Sequence, residues 1–107
     1  MTLLVNRLPD EHGLFTVVQM YIGDSPVLAI ANNTRTHGEV LEEVLRSNNL
    51  RYESVNLNGD NVPATSGNGY RVVGMGALEI DITGHKFGGK SCSYKLEIDE
   101  GHLKQSV

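Results

Sequence analysis

Apolar and polar positions along the chain alternate in several stretches, form one short apolar run, and follow a helical period once. Alternation predicts strands, because successive side chains of a strand point to opposite faces of a sheet. The first two of these stretches are separated only by the turn sequence "GDSP", so they predict a β-hairpin. The predicted strands cover residues 14–22, 27–31, 50–58, 70–76, 77–83 and 92–98, with 77–83 either continuing the preceding strand or pairing back on it.

The helical stretch follows this hairpin. Thr36 and Glu39 have the spacing of a capping box, in which each side chain binds a backbone amide at the start of a helix. An apolar stripe then recurs at helical spacing, with charged residues on the opposite face. The pattern predicts a helix of about three turns that begins after Thr36 and ends near Asn48. The residues of the stripe are Val40, Leu41, Val44 and Leu45.

The remaining segments are rich in glycine and polar residues. Residues 58–69 and 84–91 are expected to be loops, and about ten N-terminal and eight C-terminal residues are expected to be frayed. Strands arranged around one helix predict a single α+β domain over residues 1–107. Its expected core is one mixed or antiparallel sheet of five to six strands, packed by one main helix.

Composition narrows the possible partners. The formal charge is −4, and lysine and arginine form no cluster, so the basic surface that nucleic acids require is not expected. No apolar run is long enough to span a membrane, and the first residues lack the pattern of a signal peptide. Cys92 is the single cysteine and is expected to be buried in the last strand. A chain with one cysteine favours a reducing, cytoplasmic location.

His37 and Gly38 occupy the first two positions of the predicted helix, where Pro, Asp or Glu would be more usual. Free amides and the helix dipole favour an anion such as phosphate at this end. The same field disfavours a charged imidazole, so a neutral ring is expected to act as base or nucleophile. Gly38 leaves the backbone open to an anion. The alternative is that His37 is an ordinary surface residue at a helix start.

A second candidate is the sequence Gly74-Met75-Gly76-Ala77 at the end of a predicted strand. Consecutive amides of small residues could form a concave, anion-binding nest. The alternative is a β-bulge or bend, which also explains glycine in a strand. Metal binding is not expected, because the four histidines lie far apart in the sequence and never at the spacing of a metal site. No cofactor is expected either.

Taken in chain order, four segments resemble the Janus/Ocnus family of protein histidine phosphatases. They are "GLFTVV" (13–18), "HGEVLEEV" (37–44), "VVGMGAL" (72–78) and "YKLEIDEG" (94–101). The resemblance implies that His37 is the catalytic histidine. It also implies a phosphate cradle made by the amides of His37, Gly38, Gly76, Ala77 and Leu78.

The resemblance is incomplete at the position where the family has a positively charged side chain. Thr16 stands where the family has a catalytically important lysine, and Arg35 or Arg71 could replace that charge. The helix that the family has before its last strand is also missing from the sequence pattern.

The function implied is a metal-independent, phosphohistidine phosphatase-like hydrolase acting on a phosphorylated protein or a small phosphate-containing ligand. The alternative is a non-catalytic phosphate-binding or protein-interaction module on the same fold. The chain is expected to be a monomer or a weak homo-oligomer, with neither nucleic acid nor membrane as partner.

Overall fold

The computed structural model describes residues 3–106, which form ten strands and two helices. The strands are β1 (Leu4–Val5), β2 (Gly13–Ile22), β3 (Ser25–Asn32), β4 (Ser54–Leu57), β5 (Asp60–Pro63), β6 (Ser66–Gly67), β7 (Tyr70–Asp81), β8 (Gly84–Gly88), β9 (Lys90–Ser91) and β10 (Leu96–Glu97). The helices are α1 (His37–Ser47) and α2 (Glu100–Ser106).

Six strands form one antiparallel sheet in the order β1-β3-β2-β7-β6, and β8 also pairs with β7. Strand β2 is central, with Val18 opposite Ala29 of β3 and Met75 of β7. Val73 is an extra residue in β7 and makes a β-bulge opposite the step from Gln19 to Met20. This sheet, with α1 packed on it, confirms the predicted α+β class.

Helix α1 begins after Thr36, as the capping box predicts. Thr36 Oγ1 accepts from the Glu39 amide at 3.1 Å, and Glu39 Oε1 accepts from the Thr36 amide at 2.9 Å. The apolar stripe of α1 is buried against one face of the sheet. The side chains that it meets there include Val18, Met20 and Met75.

The opposite face of the sheet is covered by the C-terminal segment, which was expected to be frayed. Ile98 and Leu103 pack on the core of this face, which consists of Phe15, Val17, Leu28, Ile30 and Leu78. His102 of α2 is 1% exposed, and its Nε2 donates to Met20 O at 2.8 Å. Gln19 binds both backbone groups of Asp99, which fixes the start of α2. For residues 99–106 the tail prediction is therefore wrong, because buried polar contacts with β2 hold them in place, whereas Val107 lies outside the described residues.

The N-terminal residues described are also ordered by the sheet. Leu4 and Val5 form the edge strand β1 opposite Ile30 and Ala29. Asn6 Oδ1 then accepts from the Leu28 amide at 2.7 Å. These backbone and side-chain bonds, which no local pattern indicates, tie the segment to β3.

The two glycine-rich segments, which were expected to be loops, consist mostly of strands and tight turns of hairpins. Asn58 and Gly59 have φ angles of 54° and 91°, and they form the two-residue turn between β4 and β5. Positive φ at both positions suits the type I′ turn that matches the twist of paired strands. Residues 84–88 pair with β7 as β8. By contrast, the strands predicted over 50–58 and 92–98 are present only in part.

The glycines of β7 let the C-terminal segment lie flat against the sheet. A Cβ at Gly74 would overlap Gln19 Oε1 and would lie 2.8 Å from Glu97 O. A Cβ at Gly76 would lie 2.7 Å from Ile98 Cγ1. Close backbone approach therefore accounts for both glycines.

Candidate functional site

A cleft of about 630 Å³ lies at the start of α1. Three segments form its walls: the turn before α1 with the first residues of α1 (33–39), the whole of β5 (60–63), and the end of β9 with the turn that follows it (91–94). Thr16 of β2 and Glu42 of α1 complete the lining. The cleft therefore contains the His37-Gly38 pair that the sequence singles out.

His37 is half-buried and is held by a contact with β7. Its Nε2 lies 2.9 Å from Gly76 O. Since a carbonyl oxygen only accepts hydrogen bonds, Nε2 carries a proton, and in the neutral ring this leaves the lone pair on Nδ1. The contact fixes the tautomer of the ring and joins the helix start to the glycine-containing strand.

Gly38 is buried, and its missing side chain has a packing role. A Cβ there would lie 2.8 Å from Val62 Cγ1 and 3.7 Å from Tyr94 Oη. Glycine therefore lets β5 approach the first turn of α1. The first helical hydrogen bond runs from the Val40 amide to Thr36 O, so the helix supplies no acceptor for the amides of His37 and Gly38.

Thr16 and Arg35 organise the turn before the helix. Thr16 is 6% exposed, and its hydroxyl donates to Arg35 O at 2.8 Å. The guanidinium of Arg35 pairs with the carboxylate of Glu43 on α1. The candidate cation thus lies at the cleft with a partner that offsets its charge.

The other predicted phosphate ligands do not meet at the cleft. Gly76 reaches His37 by its carbonyl oxygen and not by its amide. Ala77 and Leu78 lie within β7 and are paired on both sides, with β2 and with β8. Arg71 stacks over Tyr21, with its Cζ 4.4 Å from the ring centroid. The structure therefore brings together His37, Gly38 and Arg35, and it does not bring Ala77, Leu78 or Arg71 to them.

Carboxylates dominate the charge of the cleft. Hydrogen bonds from the backbone and side chain of Thr36 lower the pKa of Glu39 and keep it ionised. Glu42 accepts from the Tyr52 hydroxyl at 2.7 Å, and Asp60 lies on the β5 wall. These charges oppose the binding of an anion at the helix start.

Sequence reasoning missed the walls supplied by residues 60–63 and 91–94. Asn58-Gly59 was the available signal for the first, because this dipeptide favours a two-residue hairpin. The second has no comparable signal, and Cys92 is exposed in a turn, whereas it was expected to be buried in a strand.

Residues 3–106 contain no group of three or more His, Cys, Asp or Glu arranged to hold a metal ion, and no helix among them could cross a membrane.

Tyr94 gives the cleft a pH-dependent contact. Burial raises the pKa of Tyr94 to about 12, and its hydroxyl donates to Pro63 O at 2.8 Å. The unfolded chain loses this proton near pH ~10, so the stabilisation is complete below that pH and is lost as the pH rises towards 12.

Tyr94→Phe is therefore expected to lower the free energy of unfolding by about 1 kcal/mol near neutral pH. The gap between wild type and variant should shrink above pH ~10, because only wild type carries the titrating group. Urea unfolding at a series of alkaline pH values measures this gap. A gap that stayed constant with pH would contradict the buried, hydrogen-bonded placement of the hydroxyl.

Comparison of the chain with protein-family models, with curated proteins and with solved structures finds no match.

Proposed function

We propose that the cleft at the start of α1 binds a phosphorylated group and that the protein is a phosphohistidine phosphatase-like hydrolase with His37 as its reactive residue. One observation carries the proposal: His37 Nε2 is bonded to Gly76 O at 2.9 Å, at the first turn of a capped helix. This contact joins two of the segments on which the resemblance to the Janus/Ocnus family rests. In the neutral ring it also places the lone pair on Nδ1, as a base or nucleophile requires.

Two chemical routes are open to Nδ1. As a nucleophile it would attack phosphorus, form an N–P bond as the bond to the leaving group breaks, and be freed when water cleaves that bond. As a base it would take a proton from the water that attacks phosphorus, while the bond from phosphorus to the leaving group breaks. In both routes the first-turn amides and the helix dipole would stabilise the phosphoryl oxygens.

The site has little free positive charge with which to stabilise a phosphoryl group. Thr16 is uncharged, and Arg35 is engaged by Glu43. A phosphoryl group has to compete with that carboxylate for the guanidinium. Slow turnover follows, because the loss of one stabilising donor typically lowers kcat by about 10²–10³.

Freeing Arg35 is therefore expected to raise activity. Glu43→Gln removes the carboxylate partner, and we expect kcat/KM to rise by roughly threefold to tenfold, as one charge-assisted hydrogen bond is regained. Glu42→Gln is the matched control, since it removes an equal charge from the same helix and leaves Arg35 paired. Rates of phosphate release from the three proteins measure the effect. An equal rise in both variants would show that general charge, and not Arg35, limits the rate.

A second candidate function is a non-catalytic module that binds a phosphorylated protein or a small anion. The observation favouring it is that Ala77 and Leu78 are committed to the sheet, so of the predicted phosphate ligands the helix start and Arg35 line the cleft. Such a site would bind an anion weakly and would not stabilise the charge that develops during phosphoryl transfer.

One pair of measurements separates these functions. Phosphate release from a phosphohistidine peptide and from an aryl phosphate is followed with the purified protein, and the thermal midpoint is recorded with and without inorganic phosphate. The hydrolase predicts release above the uncatalysed rate. A phosphate-dependent rise in the midpoint without any release identifies the binding module. If neither effect occurs, both functions are excluded.

A further inference from the structure

The β4–β5 hairpin, residues 54–63, lies outside the main sheet and is mostly exposed. It forms its own two-stranded sheet and shares no strand pairing with the main sheet. Pro63 is the one buried residue among the ten, and the turn at Asn58-Gly59 is exposed. Isolated two-stranded hairpins are only marginally stable in water. The hairpin therefore depends on its contacts with the cleft to stay in place.

Val62 and Pro63 of β5 make contacts that hold the hairpin against the cleft. Val62 packs on the flank of Gly38, where any side chain would collide with it. The Tyr94 hydroxyl donates to Pro63 O at 2.8 Å. At the base of the hairpin, the Ala64 amide donates to Glu53 O and Ala64 O accepts from the Tyr70 hydroxyl, both at 2.8 Å. The base is thus fixed independently of Val62 and Pro63.

We propose that this hairpin is a lid over the His37 cleft, closed by Val62 on Gly38 and latched by the Tyr94 hydroxyl on Pro63. The nature of the ligand beneath it rests on the proposed function, whereas the opening of the lid does not. Residues 60–63 line the cleft, so their departure would open its wall beside Gly38. Their return would exclude water from a bound phosphoryl group.

Native-state hydrogen exchange tests the lid without any assumption about activity. If the lid opens by itself, the amides of residues 55–62 exchange faster than those of β2 in wild type. Tyr94→Phe breaks the latch, and we expect the protection factors of the hairpin amides to fall by about twofold to tenfold.

Tyr52→Phe is the matched control. It removes a hydroxyl bond of similar length to Glu42, and Tyr52 lies before the fixed base of the hairpin. Its bond stays intact while the lid opens and breaks only on global unfolding. Tyr52→Phe should therefore lower protection in β2 and leave the hairpin amides unchanged.

Two results would overturn the lid. If the protection factors of the hairpin amides equalled those of β2 in wild type and in both variants, the hairpin would open only when the whole protein unfolds. If Tyr94→Phe left the protection of the hairpin amides unchanged, the Tyr94 hydroxyl would not be holding the lid closed. A further arm adds phosphoramidate to wild type. If phosphoramidate increases the protection of the hairpin amides, a ligand binds under the lid. If it does not, while the hairpin still opens independently of β2, the result counts against the proposed function and not against the lid.

Discussion

Gly74→Ala is expected to lower the free energy of unfolding by at least about 3 kcal/mol, the upper end of the usual cost of overpacking. The new Cβ would overlap Gln19 Oε1 and would lie 2.8 Å from Glu97 O and 3.0 Å from the Asp99 amide. Two of these three neighbours are backbone atoms, which cannot rotate away. Gln19 is also fixed, since it binds both backbone groups of Asp99. The substitution should therefore displace the C-terminal segment from the sheet.

Gly88→Ala is the matched control for this prediction. A Cβ at Gly88 would meet nothing within 4 Å, and its φ is not in the left-handed range. The free energy of unfolding of this variant should change by less than about 1 kcal/mol. The change should be an increase, because alanine makes the unfolded chain less flexible than glycine does. Urea unfolding of the two variants measures the difference. Equal midpoints would contradict the crossing of residues 97–99 over β7.

His37→Ala is expected to abolish the phosphate release attributed to the cleft, with a fall of about 10²–10⁴-fold, the usual contribution of a positioned acid or base. The variant keeps the helix cap, because the capping box involves Thr36 and Glu39 and not the imidazole. It loses the bond to Gly76 O, which should cost about 1 kcal/mol of stability. The loss of rate is therefore far larger than any loss of folded protein.

His85→Ala is the control for His37→Ala. His85 is an exposed residue of β8 and does not line the cleft. Its rate should equal that of wild type, and the unfolding midpoint of each variant shows how much folded protein was assayed. If His37→Ala released phosphate at the wild-type rate, His37 would have no part in the reaction.

The fold could be predicted in part because some of its signals are local. The capping box of Thr36 and Glu39, with the apolar stripe behind it, places α1 correctly. The short turn between the first two strands places β2 and β3. These patterns act within a few residues, so one sequence contains all the information they need.

The remaining features depend on partners far away in the sequence. The buried ring of His102 is hydrogen-bonded to Met20 O and to the Gln19 side chain, and no pattern within the tail indicates those partners. Asn58-Gly59 is an exception, because it is a local hairpin signal in a segment that was expected to be a loop.

The candidate site divides in the same way. His37, Gly38, Thr16 and Arg35 could be brought together from the sequence and the resemblance, because three of them adjoin the predicted helix start. Gly74 and Gly76 allowed two interpretations, an anion-binding nest and a β-bulge or bend. The close approach of the C-terminal segment to both glycines is a tertiary contact that neither interpretation included. Val62 and Tyr94 reach the cleft from separate hairpins, so their part in it could not be predicted.

The proposed phosphate site depends on which nitrogen of the His37 ring is protonated and on whether that ring meets phosphate. Long-range ¹H–¹⁵N NMR of the histidine side chains identifies which ring nitrogen carries the proton, before and after addition of inorganic phosphate. We predict an Nε2-protonated ring bonded to Gly76 O, and phosphate-dependent shifts of the ring and of the Gly38 amide. A neutral ring protonated on Nδ1 instead, or resonances of His37 and Gly38 that do not respond to phosphate, would rule out a phosphate site at His37.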